Sequence, residues 1–448
     1  MPQKTDLTTG PITGTMLLFA LPMILGNLLQ QFYNVADTLI VGQFLGATAL
    51  AAVGSSYTLM TFLTSILLGM CMGSGAVFSI RFGEGDRARL KNSLSLSFLM
   101  IAGFTVVMNL AVFLLIDPMM GLLQVPEEVY PLMRSYLWVI FWGIGGTFLY
   151  NYFACLLRAI GNSATPLLFL GVSAVLNIVL DLVFVVVVPW GVAGAAFATS
   201  LSQWVSGLGL LAFTLAKMPQ LRPSRQDVRW EKDRVLEIAR FSLLTCVQQS
   251  VMNFGILMVQ GLVNSFGTVV MAAFAAAVKI DSFAYMPVQD FGNAFSTFIA
   301  QNYGAKRMDR VRRGIKSAAV SSVVFALLIS VLVFAFAKPL LLLFVKPEET
   351  EILAVGVQYL RIEGAFYFGI GILFLLYGLY RAIERPGMSL VLTVISLGTR
   401  VALAYILSAI PAIGVVGIWW SVPIGWALAD VTGVLYYKKL RGQLAGRP

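Results

Sequence analysis

The chain is 448 residues long, 58% hydrophobic and 12% charged, with a mean hydropathy of +0.85. Such a composition cannot cover a soluble surface, and it makes a lipid bilayer the solvent of the fold. The net charge of +10 comes without any histidine, which excludes His-dependent triads and imidazole metal ligands, while Cys71, Cys155 and Cys246 lie in apolar segments without the paired spacing of a disulfide framework or metal site.

In chain order, twelve apolar runs are long enough to cross the membrane: 15–43, 48–78, 93–116, 132–154, 164–188, 192–216, 236–263, 268–300, 315–344, 352–378, 388–409 and 414–437. Each suits a hydrocarbon layer of about 30 Å. The first is too long for a signal peptide and carries Asp37 with no small-residue cleavage site before it. It also carries Pro22, which deletes a backbone hydrogen bond and permits a kink. Runs one to six define an N-lobe over 1–216. The basic, Pro-containing stretch 217–235 reads as a cytoplasmic linker, and runs seven to twelve with a basic cytoplasmic tail define a C-lobe over 236–448.

The two lobes are one sequence written twice. Phe19-Ala20-Leu21 matches Phe241-Ser242-Leu243 at a shift of 222, and Phe82-Gly83 matches Tyr303-Gly304 at 221. Tyr136-Leu137 with Tyr359-Leu360, Arg158-Ala159-Ile160 with Arg381-Ala382-Ile383, and Gly191 and Gly194 with Gly414 and Gly417 all give 223. The expected fold is therefore an all-α integral membrane protein of two six-helix lobes. Because six is even the repeat is parallel, with its pseudo-two-fold axis along the membrane normal, and such duplication builds two lobes around a transport site. Basic residues fall on alternate loops: Lys4; Arg81, Arg87, Arg89 and Lys91; Arg158; Lys217 to Arg234, including Arg225; Lys306 to Lys316; Arg381 and Arg385; and Lys438, Lys439, Arg441 and Arg447. The opposite loops hold Lys338 and Lys346 among several acids. Both termini are then cytoplasmic, and topology rather than a nucleic-acid partner explains the positive charge.

Ionisable side chains at membrane depth mark pathways or coupling sites. Asp37 lies nine residues before Gly46, Asp181 ten before Gly191 and Thr199 eight after it. All three are thus about 12 to 15 Å below the outer surface at 1.5 Å per residue. Asn177, four residues before Asp181, shares its helical face. Two carboxylates, an amide and a hydroxyl form an all-oxygen cluster suited to a hard cation or a shared proton. The second copy does not repeat it: Val259 replaces Asp37, Arg400 replaces Asn177 and Ala404 replaces Asp181. Asp281 and Arg400 both lie about 21 Å from the outer face and are expected to form a buried pair. Lys279, two residues from Asp281, must look elsewhere, into a central cavity. Gln30, Tyr33, Asn34, Gln249, Asn253 and Met286 are candidates to line that cavity.

These residues carry a resemblance. Leu21-Pro22 and Asn34-Val35-Ala36-Asp37 in the first helix, Arg158-Ala159-Ile160-Gly161-Asn162, Leu176-Asn177-Ile178-Val179-Leu180-Asp181 in the fifth, Gly191-Val192-Ala193-Gly194-Ala195-Ala196 leading to Thr199, and Ala300-Gln301-Asn302-Tyr303-Gly304-Ala305 occur in order with the repeat. Over essentially its whole length the chain resembles the multidrug and toxic compound extrusion (MATE) transporters, in the prokaryotic DinF-like branch. The resemblance implies an antiporter, not an enzyme. It would export small organic cations or amphipathic drugs against Na⁺ or H⁺, with no cofactor and no resident metal. It further implies a monomer surrounded by lipid in a prokaryotic inner membrane, a cation site at Asp37, Asn177, Asp181 and Thr199, and bending of the first helix at Pro22. The chain departs from the sister NorM-like branch, whose second-copy acids are replaced by Gln248, Gln249, Asn253 and Gln260 in helix seven, with Glu363 the acid of helix ten. The alternative is a flippase for lipid-linked oligosaccharide or peptidoglycan precursors, which would use fixed cations such as Lys279 and Arg400.

Overall fold

A computed structural model of the chain describes residues 6–123, 125–222, 224 and 227–445; of the basic residues above, Lys4, Arg225, Arg447 and the Arg441 side chain lie outside that description. No strand occurs among the described residues. The first copy contains α1 (Ile12–Leu45), α2 (Ala47–Glu84), α3 (Arg87–Leu114), a short α4 (Ile116–Leu122), α5 (Tyr130–Ile140), α6 (Ile144–Ala159), α7 (Ala164–Asp181) and α8 (Gly191–Lys217). The second contains α9 (Lys232–Asn264), α10 (Thr268–Gly304), α11 (Met308–Leu341), α12 (Thr350–Gly364), α13 (Tyr367–Ala382), α14 (Pro386–Ser408) and α15 (Val416–Ala445).

Among the described residues there are eleven membrane-length helical stretches, α5 and α6 counting as one because a 3₁₀ turn at Phe141–Gly143 joins them; the twelfth is the pair α12 and α13, bent by 50°. The twelve apolar runs correspond to these elements in order. The 3₁₀ turn, the α12–α13 bend, α4 and a π-helical stretch at Leu182–Val187 that prolongs α7 had no sequence signal. The turns into α2 and α10 are made by Gly46 and Gly267, equivalent in the repeat, with φ of 86° and 95°. Both have extended ψ, a conformation that a Cβ disfavours, so glycine sets the reversal at each.

The chain divides into two compact units whose limits fall inside helices. Among the described residues, unit 1 takes Leu21–Cys246, and unit 2 takes Asp6–Ala20 with the chain from Val247 onward. Compared with the division at 216 and 236, the start of α1 belongs with the second copy, while the 217–235 stretch and the start of α9 belong with the first. Packing explains both. In unit 1, Gly73 lies against the Phe241 carbonyl, a Cβ on Gly69 would stand 2.6 Å from the Cys246 Cα, and the Ser74 and Ser242 hydroxyls are 2.8 Å apart. Such close backbone approach is how helices associate in lipid, where no hydrophobic force separates helix from solvent. The Asn92 amide donates to the carbonyls of Asp227 (2.8 Å) and Arg229 (3.0 Å), and Arg81 pairs with Glu84 and Glu237.

Unit 2 holds the chain before α1 in the same way. Asn302 donates to the Leu7 carbonyl, Arg307 to that of Thr8, and Arg310 to those of Leu7, Thr9 and Gly10, at 2.7 to 3.2 Å. Leu7 is fully buried, and the Thr13 and Ser317 hydroxyls meet at 2.6 Å.

Candidate functional site

The site in unit 1 is assembled from α1, α7 and α8. Asn177 and Asp181 project from one face of α7 and are buried, at 2% and 0% exposure. The Asn177 amide donates to the Thr199 hydroxyl on α8 at 3.2 Å, which turns its own oxygen away from Thr199. Asp37, near the end of α1, brings its carboxyl directly against that of Asp181. Asp37 Oδ1, Asn177 Oδ1 and both carboxyl oxygens of Asp181 are enclosed without a hydrogen-bond donor. Four enclosed acceptors without a protein donor, three of them on the two carboxyls in direct contact, form an arrangement suited to a proton or a cation. All four residues grouped by depth are thus brought together.

The first carboxylate of the pair is placed by a helix that contains Pro22, and the second ends the regular part of α7. Beyond Asp181 the chain follows the π-helical stretch Leu182–Val187, closed by Val188 N–H to the Val183 carbonyl at 2.7 Å. Wide turns of this kind occur where a helix must place a functional group off the regular register.

A family profile decides what this arrangement belongs to. The MatE profile matches residues 22–183 and again 244–406, the two copies of the repeat. The chain belongs to the MatE family. It is 31% identical over 444 residues to the "Probable multidrug resistance protein YpnP" of Bacillus subtilis, covering 97% of this chain and 96% of the relative. It is 26% identical over 438 residues to a "FAD transporter" of Shewanella oneidensis, covering 95% and 94%. A crystal structure of a MATE protein in the bent conformation superposes with a TM-score of 0.92 at 23% identity, covering 99% of this chain and 98% of that one, so the fold is shared. This MatE protein is a multi-pass membrane transporter and not an enzyme.

Of the expected lining residues, Gln30, Tyr33 and Asn34 lie on α1 in unit 1, with Gln30 exposed and interacting with Tyr33. Gln249 and Asn253 on α9 and Met286 on α10 lie in unit 2, each half-buried. The expected Asp281–Arg400 pair is corrected by the structure. Asp281 accepts hydrogen bonds from Tyr359 (2.6 Å) and Tyr367, and its carboxyl adjoins that of Glu363. Arg400 stands within electrostatic reach of both acids, but its Nε has no acceptor. Equal depth placed Asp281 and Arg400 at one level; it carried no information about rotation around each helix axis, and the bend between α12 and α13 brings the tyrosines in first. Lys279 is exposed, with its ammonium over the Phe344 ring at 5.8 Å.

Sequence reasoning also missed Tyr136. It is buried on α5 within reach of both Asp37 and Asp181, and its repeat equivalent is Tyr359 beside Asp281. The pair Tyr136-Leu137 and Tyr359-Leu360 served to align the copies, and the same signal marks a tyrosine beside a carboxyl pair in each. Asp430 on α15 lies within the last apolar run.

Proposed function

We propose that this MatE protein is a cation-coupled multidrug antiporter. It exports small organic cations or amphipathic compounds, with Na⁺ or H⁺ entering at Asp37 and Asp181. One observation carries the proposal: the Asp37 and Asp181 carboxyls lie against each other, and they and Asn177 enclose four oxygen acceptors without a donor, so the site is short of positive charge. Tyr136 and Thr199 close around it.

In alternating access the site takes its cation from outside, the lobes rearrange, the drug leaves outward and the cation inward. α1 is the natural element to link the two events. It passes from unit 2 to unit 1 between Ala20 and Leu21, one residue before Pro22, and it carries Asp37 fifteen residues further on. A proline at that position lets the held and the unheld parts of the helix change their mutual angle without breaking further backbone bonds. Both termini are cytoplasmic in a prokaryotic inner membrane by the distribution of Lys and Arg, and the protein acts as a monomer. The flippase alternative gains no support, because Arg400 is engaged by Asp281 and Glu363 and Lys279 by Phe344.

The decisive experiment is efflux of a fluorescent organic cation from proteoliposomes under an imposed Na⁺ or pH gradient. The wild-type protein is expected to couple efflux to one gradient, and Asp37→Asn and Asp181→Asn are each expected to lose the coupling while keeping their melting temperature. Undiminished gradient-driven efflux by Asp37→Asn would sink the proposal.

A further inference from the structure

Asp430 is an acid within the membrane that belongs neither to the Asp37 site nor to the Asp281 cluster. Asp430 lies on α15, fourteen residues after Val416 and ten before Leu440, the limits of its apolar span. It is therefore more than about 10 Å from either end of that span. Its Oδ1 is enclosed and receives no hydrogen bond. Its Oδ2 faces the first turn of α13, where a Cβ on Gly369 would stand 3.7 Å away, and Trp426, one turn earlier on α15, packs on the same glycine. The backbone there offers little: the amides of Ala365, Phe366 and Gly369 already donate to the carbonyls of Arg361, Glu363 and Phe366.

Nor does a cation approach. α15 packs against α12, α13 and α14. On α12, Arg361 lies over the Phe334 ring and Glu363 adjoins Asp281. On α13, Arg381 donates to Asn293, Tyr380 donates to the Gly433 carbonyl, and Tyr377 is the polar neighbour of Asp430. On α14, Arg400 serves Asp281 and Glu363. On α15 itself, Tyr436, Tyr437, Lys438 and Lys439 lie further toward its end. Among the described residues no charged group stands within electrostatic reach of Asp430.

The repeat shows that packing does not require an acid there. At a shift of 223, Gly369 corresponds to Gly146 and Asp430 to Gly207. In unit 1 those glycines meet backbone to backbone, and a Cβ on Gly207 would stand 2.6 Å from the Gly146 carbonyl oxygen. The second copy keeps one glycine of this contact and has a carboxyl group in place of the other. An isolated carboxylate costs several kcal/mol inside a membrane and has here no partner to offset it; a proton removes that cost.

We infer that Asp430 is a proton-binding site of its own in unit 2, separate from the Asp37–Asp181 site and holding its proton whichever ion drives transport. Infrared spectroscopy of the purified full chain in lipid at neutral pH tests this through the C=O stretch of protonated carboxyl groups. Asp430→Asn is expected to remove one such band and to melt at the wild-type temperature, because the amide has the shape and neutrality of the protonated acid. Asp430→Glu is expected to shift the band and supplies the spectrum even if the first variant does not accumulate. A carboxyl spectrum identical to wild type in either variant overturns the inference. So does a large fall in melting temperature for Asp430→Asn, which would mean that the group is ionised and paired.

Discussion

Thr199 offers the most direct test of how the residues of the Asp37 site divide their work, because it carries no charge. Its hydroxyl accepts from the Asn177 amide and so fixes the orientation of that side chain, whose oxygen is enclosed without a donor. Thr199→Val keeps the shape and removes that acceptor. One neutral hydrogen bond is worth about 1 kcal/mol, so the ion concentration for half-maximal efflux should rise about fivefold while the maximal rate is kept. An unchanged ion dependence would remove Thr199 from the site. Asp37, Asn177, Asp181 and Thr199 were legible in the sequence because polar residues in apolar helices are few and helical rise converts sequence position into depth. Tyr136 was not, since a tyrosine in an apolar run reads as packing. Asp281 was legible as a buried acid but not in its partners, which come from either side of a bend.

Among the elements, α1 shows how local chemistry sets a mechanical boundary. Its entry is held in unit 2 by Asn302, Arg307 and Arg310 through the carbonyls of residues 7–10, whereas its remainder from Leu21 belongs to unit 1. The apolar pattern of α1 is continuous across that boundary, so nothing in its periodicity announces the change, and only the proline does. Arg310→Ala removes three charge-assisted bonds to that entry segment and a fourth to the Asn302 side chain, and for a partly exposed guanidinium about 2 kcal/mol in all is a fair expectation. Hydrogen exchange at residues 6–20 should accelerate about thirtyfold, with exchange in α7 and α8 unchanged. If exchange in α1 stays at the wild-type rate, Arg310 contributes nothing to the clamp, and Asn302, Arg307 and the burial of Leu7 hold the segment.

For the whole molecule, the duplication preserved the helices and let the chemistry diverge. Tyr136 and Tyr359 occupy equivalent positions beside a carboxyl pair, yet the pairs differ in construction: Asp37 and Asp181 face each other with no donor and no cation, whereas Asp281 and Glu363 have two tyrosine hydroxyls and the charge of Arg400. The first pair is short of positive charge and the second is supplied with it. Asp281→Ala should therefore act on stability. It strips both tyrosines of their acceptor, and breaking a buried charged cluster of this kind costs about 3 to 5 kcal/mol. The melting temperature should fall markedly while the ion dependence of efflux in the folded fraction stays at the wild-type value. Asp37→Asn should show the reverse, with melting preserved and ion dependence lost. The two variants thus separate what the two copies do. If Asp281→Ala instead melted as wild type and lost its ion dependence, the second copy would hold a coupling site, and the local charge balance set by Arg400 would have been the wrong guide to it.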